Sequence, residues 1–447
     1  MRKFIFISIL AGIILSCSAS NDSTQDNYTW SLKSDTYTIL SGQTANLSII
    51  RSDGEVMSAN ACSFSDSLGT TNYTSTFNAK DTGTYCLKGV YTYKKQKYTC
   101  SNYIHIQVVN TAVAQIKRAP WSWTNPMGNA VPSLSVGTPS PLIFDSGTPA
   151  KETDDKTFTL TFPTEHSSYG KIILEYTMGG AGDGPGSWDQ SVQFFVKDKS
   201  TGDWYQILSA ITPYGAKWNA TWKKVFYLDV TEFMPLLSGE TEFRYFGGGP
   251  TEANRYHTAD LQFHFYTGVK ERTTVYYAKV YDSGHNPSTY NSRSWRYGVS
   301  ATDIEDDSRL GLRTFTIPSD VKDLELRFSI TGHGNDSGTY PNRPGYTSEG
   351  CAEFDKNFYY FKLNGTKVND VTGVIWYNNR IYNYVQDGLA RVPRSNWGPG
   401  LPVNVQYWAI KEIPANRVVT LDIDLEPFIT SGSYSQYIIA ADLYGYK

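Results

Sequence analysis

Two carboxylates stand out in this 447-residue sequence because of where they fall. Asp189 follows a glycine-rich stretch, Gly179 to Ser187 and then Trp188, and Glu353 follows a longer one, Gly332 to Gly350 and then Cys351-Ala352. Each acid opens what reads as a strand. Loops of this length are uncommon inside compact domains unless they are functional, and two carboxylates that meet in one cleft can divide acid and base work between them. Two solvated turn acids are the alternative reading of the repeat pattern alone. Other chemistries have less support. Six histidines are scattered without H-E-x-x-H or another metal spacing, and no G-x-S-x-G elbow occurs. The Gly179 to Gly186 run has strands on both sides, so it lacks the helix N-terminus that phosphate binding uses. No metal or other cofactor is expected.

The elements that must hold these acids read as strands. Phe158, Leu160 and Phe162 alternate onto one face, as do Leu261, Phe263 and Phe265, then Leu324, Leu326, Phe328 and Ile330, then Val419, Leu421, Ile423 and Leu425. Each such face must pack on a second sheet. The text also repeats. Thr157 to Pro163 followed by Lys171 to Gly180 echoes Arg313 to Pro318 followed by Asp323 to Gly332, and Leu228 to Phe233 echoes Leu421 to Glu426. Two homologous sandwiches in tandem, at 115–268 and 272–447, are the simplest explanation. The two acid-bearing loops occupy corresponding places in the repeat, so they can face one another across a shared interface, where ligand clefts form.

Ahead of the repeat, 28–110 reads as a small β-sandwich. Asp81-Thr-Gly-Thr-Tyr-Cys86 resembles the Tyr corner of an immunoglobulin-like domain, one residue short of the usual spacing. Thr111 to Ala119 reads as a linker. The fold class expected is all-β. Aromatic residues make up 15% of the chain, with 33 Tyr and 11 Trp; that mixture suits pleated surfaces, and exposed rings suit sugar faces.

The first residues read as an address. Arg2 and Lys3 precede an apolar run, Phe4 to Leu15, too short to span a bilayer. Ile14-Leu-Ser-Cys17 resembles a bacterial lipobox, so 1–17 reads as a lipoprotein signal with Cys17 acylated and 18–27 as a polar tether. The expected location is an outer membrane or cell surface. A net charge of −3 gives no field that favours nucleic acid, and a monomer is expected. Export permits disulfides: Cys62, Cys86 and Cys100 allow one bridge of undecided pairing, and Cys351 reads as a buried free thiol.

Several stretches are similar to the bacterial peptide-N-glycosidase F family. Trp188-Asp189, Val196 to Tyr205, Ile211-Thr-Pro-Tyr214 and Leu228 to Gly239 resemble its first domain, and Gly350-Cys-Ala-Glu353 and Arg394-Ser-Asn-Trp-Gly-Pro-Gly400 its second. The resemblance covers about Ile116 to Lys447. It implies two jelly-roll sandwiches with the active cleft between them, and hydrolysis of the amide that joins an N-glycan to asparagine in peptides or glycoproteins. It further implies Asp189 as the principal catalytic acid, Glu353 as the second carboxylate acting through a water, and Arg394 as a cleft arginine. Trp188, Tyr214 and Trp397 would stack on sugars or line the cleft, with core packing as the alternative for each.

The sequence also departs from that pattern. Gly248 stands where the family carries a further Glu, which implies either lost activity or a pocket opened to a core α1,3-linked fucose beside the innermost GlcNAc. Cysteines of the family are replaced by Gly182 to Ser187, Asp355 and Gly398. Gln190 stands in place of an arginine and His333 in place of a tryptophan at a substrate-facing position. Two rivals use the same features: a surface glycan-binding lipoprotein without catalysis, and a glycoside hydrolase that applies both carboxylates to a glycosidic bond.

Overall fold

The computed structural model describes residues 28–447 apart from 67–70, 82, 94, 110–112, 117, 145–152, 216, 249–251, 283–297, 306–308, 376–385, 387–391, 412 and 433. The signal, the tether and Cys17 lie outside the described residues. Within them the chain is all-β, with one five-residue α-helix, Ala301–Glu305. No helix of the described residues is long and apolar enough to cross a membrane.

Each alternating face identified in the sequence is turned inward. Leu261, Phe263 and Phe265 are buried completely, and Leu324, Leu326, Phe328 and Ile330 almost so. One pair of sheets is built on Tyr169–Gly182, which lies between Arg255–Thr267 and Lys223–Asp229. Its facing sheet runs Thr153–Phe162, Gly239–Gly248, Ser191–Lys197, Trp204–Ile211. Phe162, Phe194, Tyr176 and Phe263 close the core between the two sheets. The second pair is built on Asp323–His333, between Gln406–Ile410 and Gln436–Tyr446, and faces the sheet Arg313–Thr316, Val418–Leu425, Asn357–Leu363, Thr366–Ile375.

Two short strands cross between these pairs. Val113–Ile116, inside the stretch read as a linker and partly inside 115–268, joins the edge of the second pair by pairing with Gln406–Ile410. Leu401–Pro402 extends the first pair beside Trp204–Ile211. Two to four residues are too few to show a period, and the edges they cover would otherwise leave backbone groups unpaired. Buried polar contacts add to the junction: Arg327 donates to the carbonyls of Gln206 and Ile207, both at 2.7 Å, and Tyr407 Oη donates to Glu232 at 3.0 Å.

The N-terminal stretch has its own core of Leu32, Ile39, Ile49, Phe77 and Ile106 between two sheets. Tyr85 Oη donates to the Asp81 carbonyl at 2.9 Å, the bond that a Tyr corner makes. Cys62, Cys86, Cys100 and Cys351 are all free thiols, so the bridge allowed among the first three is not formed. Strand Gly83–Tyr93 carries Cys86, while Cys62 and Cys100 attach to that strand from its two neighbours. This unit seats on the rest through Asp323, whose carboxylate accepts from Thr36 Oγ1 at 2.7 Å and Tyr37 N at 3.0 Å. Beside the seat lies a charged cavity of about 260 Å³ lined by Arg118, Lys171, Glu271, Arg272 and Glu325. Lys171 and Asp323 lie at the starts of the two central strands; the acid-bearing loops follow their other ends.

Candidate active site

Asp189 reaches its place at the end of a loop that only glycine could form. Gly182 and Gly184 have φ of +65° and +118°, and a Cβ on Gly184 would sit 2.0 Å from the Trp218 carbonyl. The glycines of this run therefore serve close backbone packing. Just beyond Asp189, the Gln190 amide donates to Thr212 Oγ1 at 2.7 Å and the Thr212 amide donates back to the Gln190 carbonyl at 2.9 Å.

Glu353 and Arg394 come from the second half, where three segments are tied together. Gly332 N donates to Ser395 O, Ser395 N to Glu353 O and Glu353 N to Gly334 O, at 2.9 to 3.2 Å. A Cβ on Gly332 would lie 1.8 Å from the Ala352 carbonyl. Ala352 and Asn396 are held at φ of +68° and +65°, a conformation that side chains resist and that structures retain at functional turns.

Arg394 joins the two carboxylates. Its Nε lies 3.4 Å from Glu353 Oε1 and its Nη2 lies 3.9 Å from Asp189 Oδ2. The guanidinium is completely buried, packs over Trp397 and Phe354, and donates from Nη2 to Tyr214 Oη at 3.0 Å. Tyr214 also draws the Asp189 pKa downward, and its amide donates to Gln386 Oε1 at 3.0 Å. The Gly334 amide donates to Glu353 Oε2 at 3.2 Å. Asp189 Oδ2 is buried and has no hydrogen-bond partner among the described residues, which leaves an acceptor for an incoming donor.

Burial dominates the electrostatics of the pair. It raises the Asp189 pKa above the usual carboxylate range, with Arg394 and then Tyr214 pulling it part of the way back. Burial, and after it the charge of Asp189, push Glu353 up to about 7 against the pull of Arg394. The two acids interact and titrate as a pair, and Glu353, at about 7, keeps a proton on that pair up to neutrality.

The remaining sequence candidates fall in different places. Trp188 is 62% exposed and offers a ring to solvent beside Asp189, whereas Trp397 is only 3% exposed, donates from Nε1 to the Gly332 carbonyl and packs beneath Arg394. Tyr214 is buried too. His333 stacks on Trp397, and burial, helped by Arg394, holds its pKa down at about 3, so the ring is neutral. Gly248 is the last residue of strand Gly239–Gly248; its predecessor Gly247 pairs with Val192, shortly beyond Asp189. Asp355 accepts from Tyr346 Oη at 2.7 Å and its carbonyl accepts from Ser395 Oγ at 2.6 Å. No group of three or more potential metal-ligating side chains occurs among the described residues. Sequence reasoning missed Thr212, Gln386, Glu252 and Arg255, all of which hold the loops in place. Their contacts are made largely to backbone, which no motif announces.

No protein-family profile matches the chain. Peptide-N(4)-(N-acetyl-beta-D-glucosaminyl)asparagine amidase F of Elizabethkingia miricola is 29% identical over 220 residues, which is 48% of this chain and 56% of that protein. The match thus spans little more than half of the relative's length. The structure of PNGase F, a glycosylasparaginase from Flavobacterium meningosepticum, superposes with a TM-score of 0.54 at 21% identity, over 70% of this chain and 95% of that one. This chain shares its fold. PNGF-II superposes with a TM-score of 0.51 at 14% identity over 90% of each chain, so that likeness extends beyond the two sandwich pairs.

Proposed function

We propose that the chain is a peptide-N4-(N-acetyl-β-glucosaminyl)asparagine amidase, which cleaves the side-chain amide of a glycosylated asparagine and releases the intact N-glycan. The observation that carries this reading is the fully buried Arg394, with one carboxylate of each sandwich pair at either side of its guanidinium. An amide resists hydrolysis because its carbonyl is a poor electrophile and its nitrogen a poor leaving group. In the proposed step, water adds to the amide carbon of asparagine, the carbon–nitrogen bond breaks and the nitrogen takes up a proton. Asp189 handles the proton traffic at the nitrogen, Glu353 orders the attacking water, and Arg394 stabilises oxygen charge. The products are a peptide carrying aspartate and a glycosylamine that later loses ammonia.

Mass spectrometry of a treated glycopeptide in heavy-oxygen water tests this. The account expects conversion of the glycosylated asparagine to aspartate with one solvent oxygen. A sugar left on asparagine would indicate a glycosidase, and an unchanged peptide a binding protein in which the acid absent at Gly248 marks lost activity.

The substrate proposed is an N-glycan whose innermost GlcNAc carries α1,3-linked fucose, since no side chain at Gly248 intrudes where the family places a Glu. Gly248→Glu is expected to suppress release from fucosylated peptides while sparing the others; equal exclusion of fucosylated cores by both proteins would end this part of the proposal. The catalytic unit is proposed as two jelly rolls, 115–268 and 272–447, behind an immunoglobulin-like 28–110. The basic and apolar leader with Cys17 supports a lipid anchor at the outer membrane or cell surface.

A further inference from the structure

We propose that Arg255 is a positioning residue for Asp189, an inference that rests on the amidase reading above. Arg255 opens strand Arg255–Thr267 directly after a turn, and its side chain crosses to the loops of the site. Its Nη1 donates to the Pro185 carbonyl at 2.9 Å and to the Gly215 carbonyl at 3.2 Å. Pro185 belongs to the loop that ends on Asp189, and Gly215 adjoins Tyr214, whose hydroxyl accepts from Arg394 at 3.0 Å and lowers the Asp189 pKa. One guanidinium nitrogen therefore holds together the two loops that aim the catalytic acid and its phenol partner.

The contacts around it form a template. The Asp183 amide donates to the Asn254 carbonyl at 2.6 Å, the Tyr256 amide to the Gly184 carbonyl at 3.0 Å, and the Ser187 amide to Glu252 Oε2 at 3.4 Å. Gly215 N in turn donates to the Gly186 carbonyl at 3.1 Å. Most of the loop is thus pinned along its length by residues 252–256. Residues 252–256 lie at the end of the connection that leads from strand Gly239–Gly248 to Arg255–Thr267 of the facing sheet, so the connection that follows Gly248 also carries the brace for the acid. Where the family would use cysteines to stiffen this loop, one charged nitrogen bonded to two carbonyls does so here.

The test compares Arg255→Met with Arg255→Lys in the full chain, using kcat, KM and hydrogen exchange of the 183–189 segment. Arg255→Met is expected to lower kcat by up to about 100-fold with KM little changed, because small misplacements of a catalytic group cost that much. Exchange of the segment should accelerate by about an order of magnitude while the core strands keep their protection. Arg255→Lys, which retains donors for both carbonyls, should recover most of the turnover. Unchanged kcat and unchanged exchange in Arg255→Met would overturn the proposal, as would a general loss of stability that Arg255→Lys fails to repair. If the wild-type chain releases no glycan, the amidase reading fails, and faster exchange in Arg255→Met still decides whether Arg255 holds the loop.

Discussion

Glu353 sits at the point where charge, burial and proton supply meet. With its pKa raised from 4.5 to about 7, the folded protein binds this proton more tightly than the unfolded chain does. The stability so contributed is fully present below about 4.5 and lost as pH rises through about 7, a difference of roughly 3 kcal/mol across the window. Two results follow for Glu353→Gln. Thermal unfolding above pH 7 should occur at a higher temperature than for the wild type, because a charge no longer has to be buried, while turnover falls. In the wild type, kcat/KM should decline as pH rises through about 7, when the pair gives up its proton. A profile flat across neutrality would contradict this account of the pair. At this scale the sequence pointed to residue types at loop ends, Asp189 and Glu353, and the fold brings both to one guanidinium. The sequence left Trp397 open between cleft and core, because a ring that supports an arginine from beneath and a ring that receives a sugar look alike in a string of letters.

At the scale of elements, the turn that delivers Glu353 is under tension. Ala352 holds a left-handed conformation that costs an L-residue about 1 to 2 kcal/mol, beside a Gly332 too close to the Ala352 carbonyl to admit a side chain. Ala352→Gly removes the tension and also a fully buried methyl worth about 0.8 kcal/mol. Urea unfolding should therefore place this variant within about 1 kcal/mol of the wild type, yet kcat should fall because the direction of Glu353 is no longer enforced. A wild-type kcat would mean that the bonds to Gly334 and Ser395 suffice. The long strands were legible because their faces alternate over many residues, as at Leu324 to Ile330. Val113–Ile116 and Leu401–Pro402 were not, since their place depends on which edges lie uncovered after the long strands have packed. The same limit hid Arg255, whose role is set by two carbonyls brought near it by the fold.

Across the whole molecule, the site exists because two similar sandwich pairs are locked side by side. Strand exchange at Val113–Ile116 and Leu401–Pro402, the Arg327 bonds to Gln206 and Ile207, and the Tyr214 to Arg394 contact all cross the junction. The internal repeat revealed that two such units should exist and that their loops should correspond. How they are turned toward each other is a property of packed surfaces that no sequence repeat records. The central claim is that Asp189, carried by one unit, works on an amide held against Glu353 and Arg394 of the other. Turnover of an N-glycopeptide by Asp189→Asn, with circular dichroism and melting temperature matched to the wild type, tests it most directly. The account predicts a loss of at least about 10²- to 10⁴-fold, the share of one positioned acid or base; near-normal release by a folded Asp189→Asn chain would contradict it.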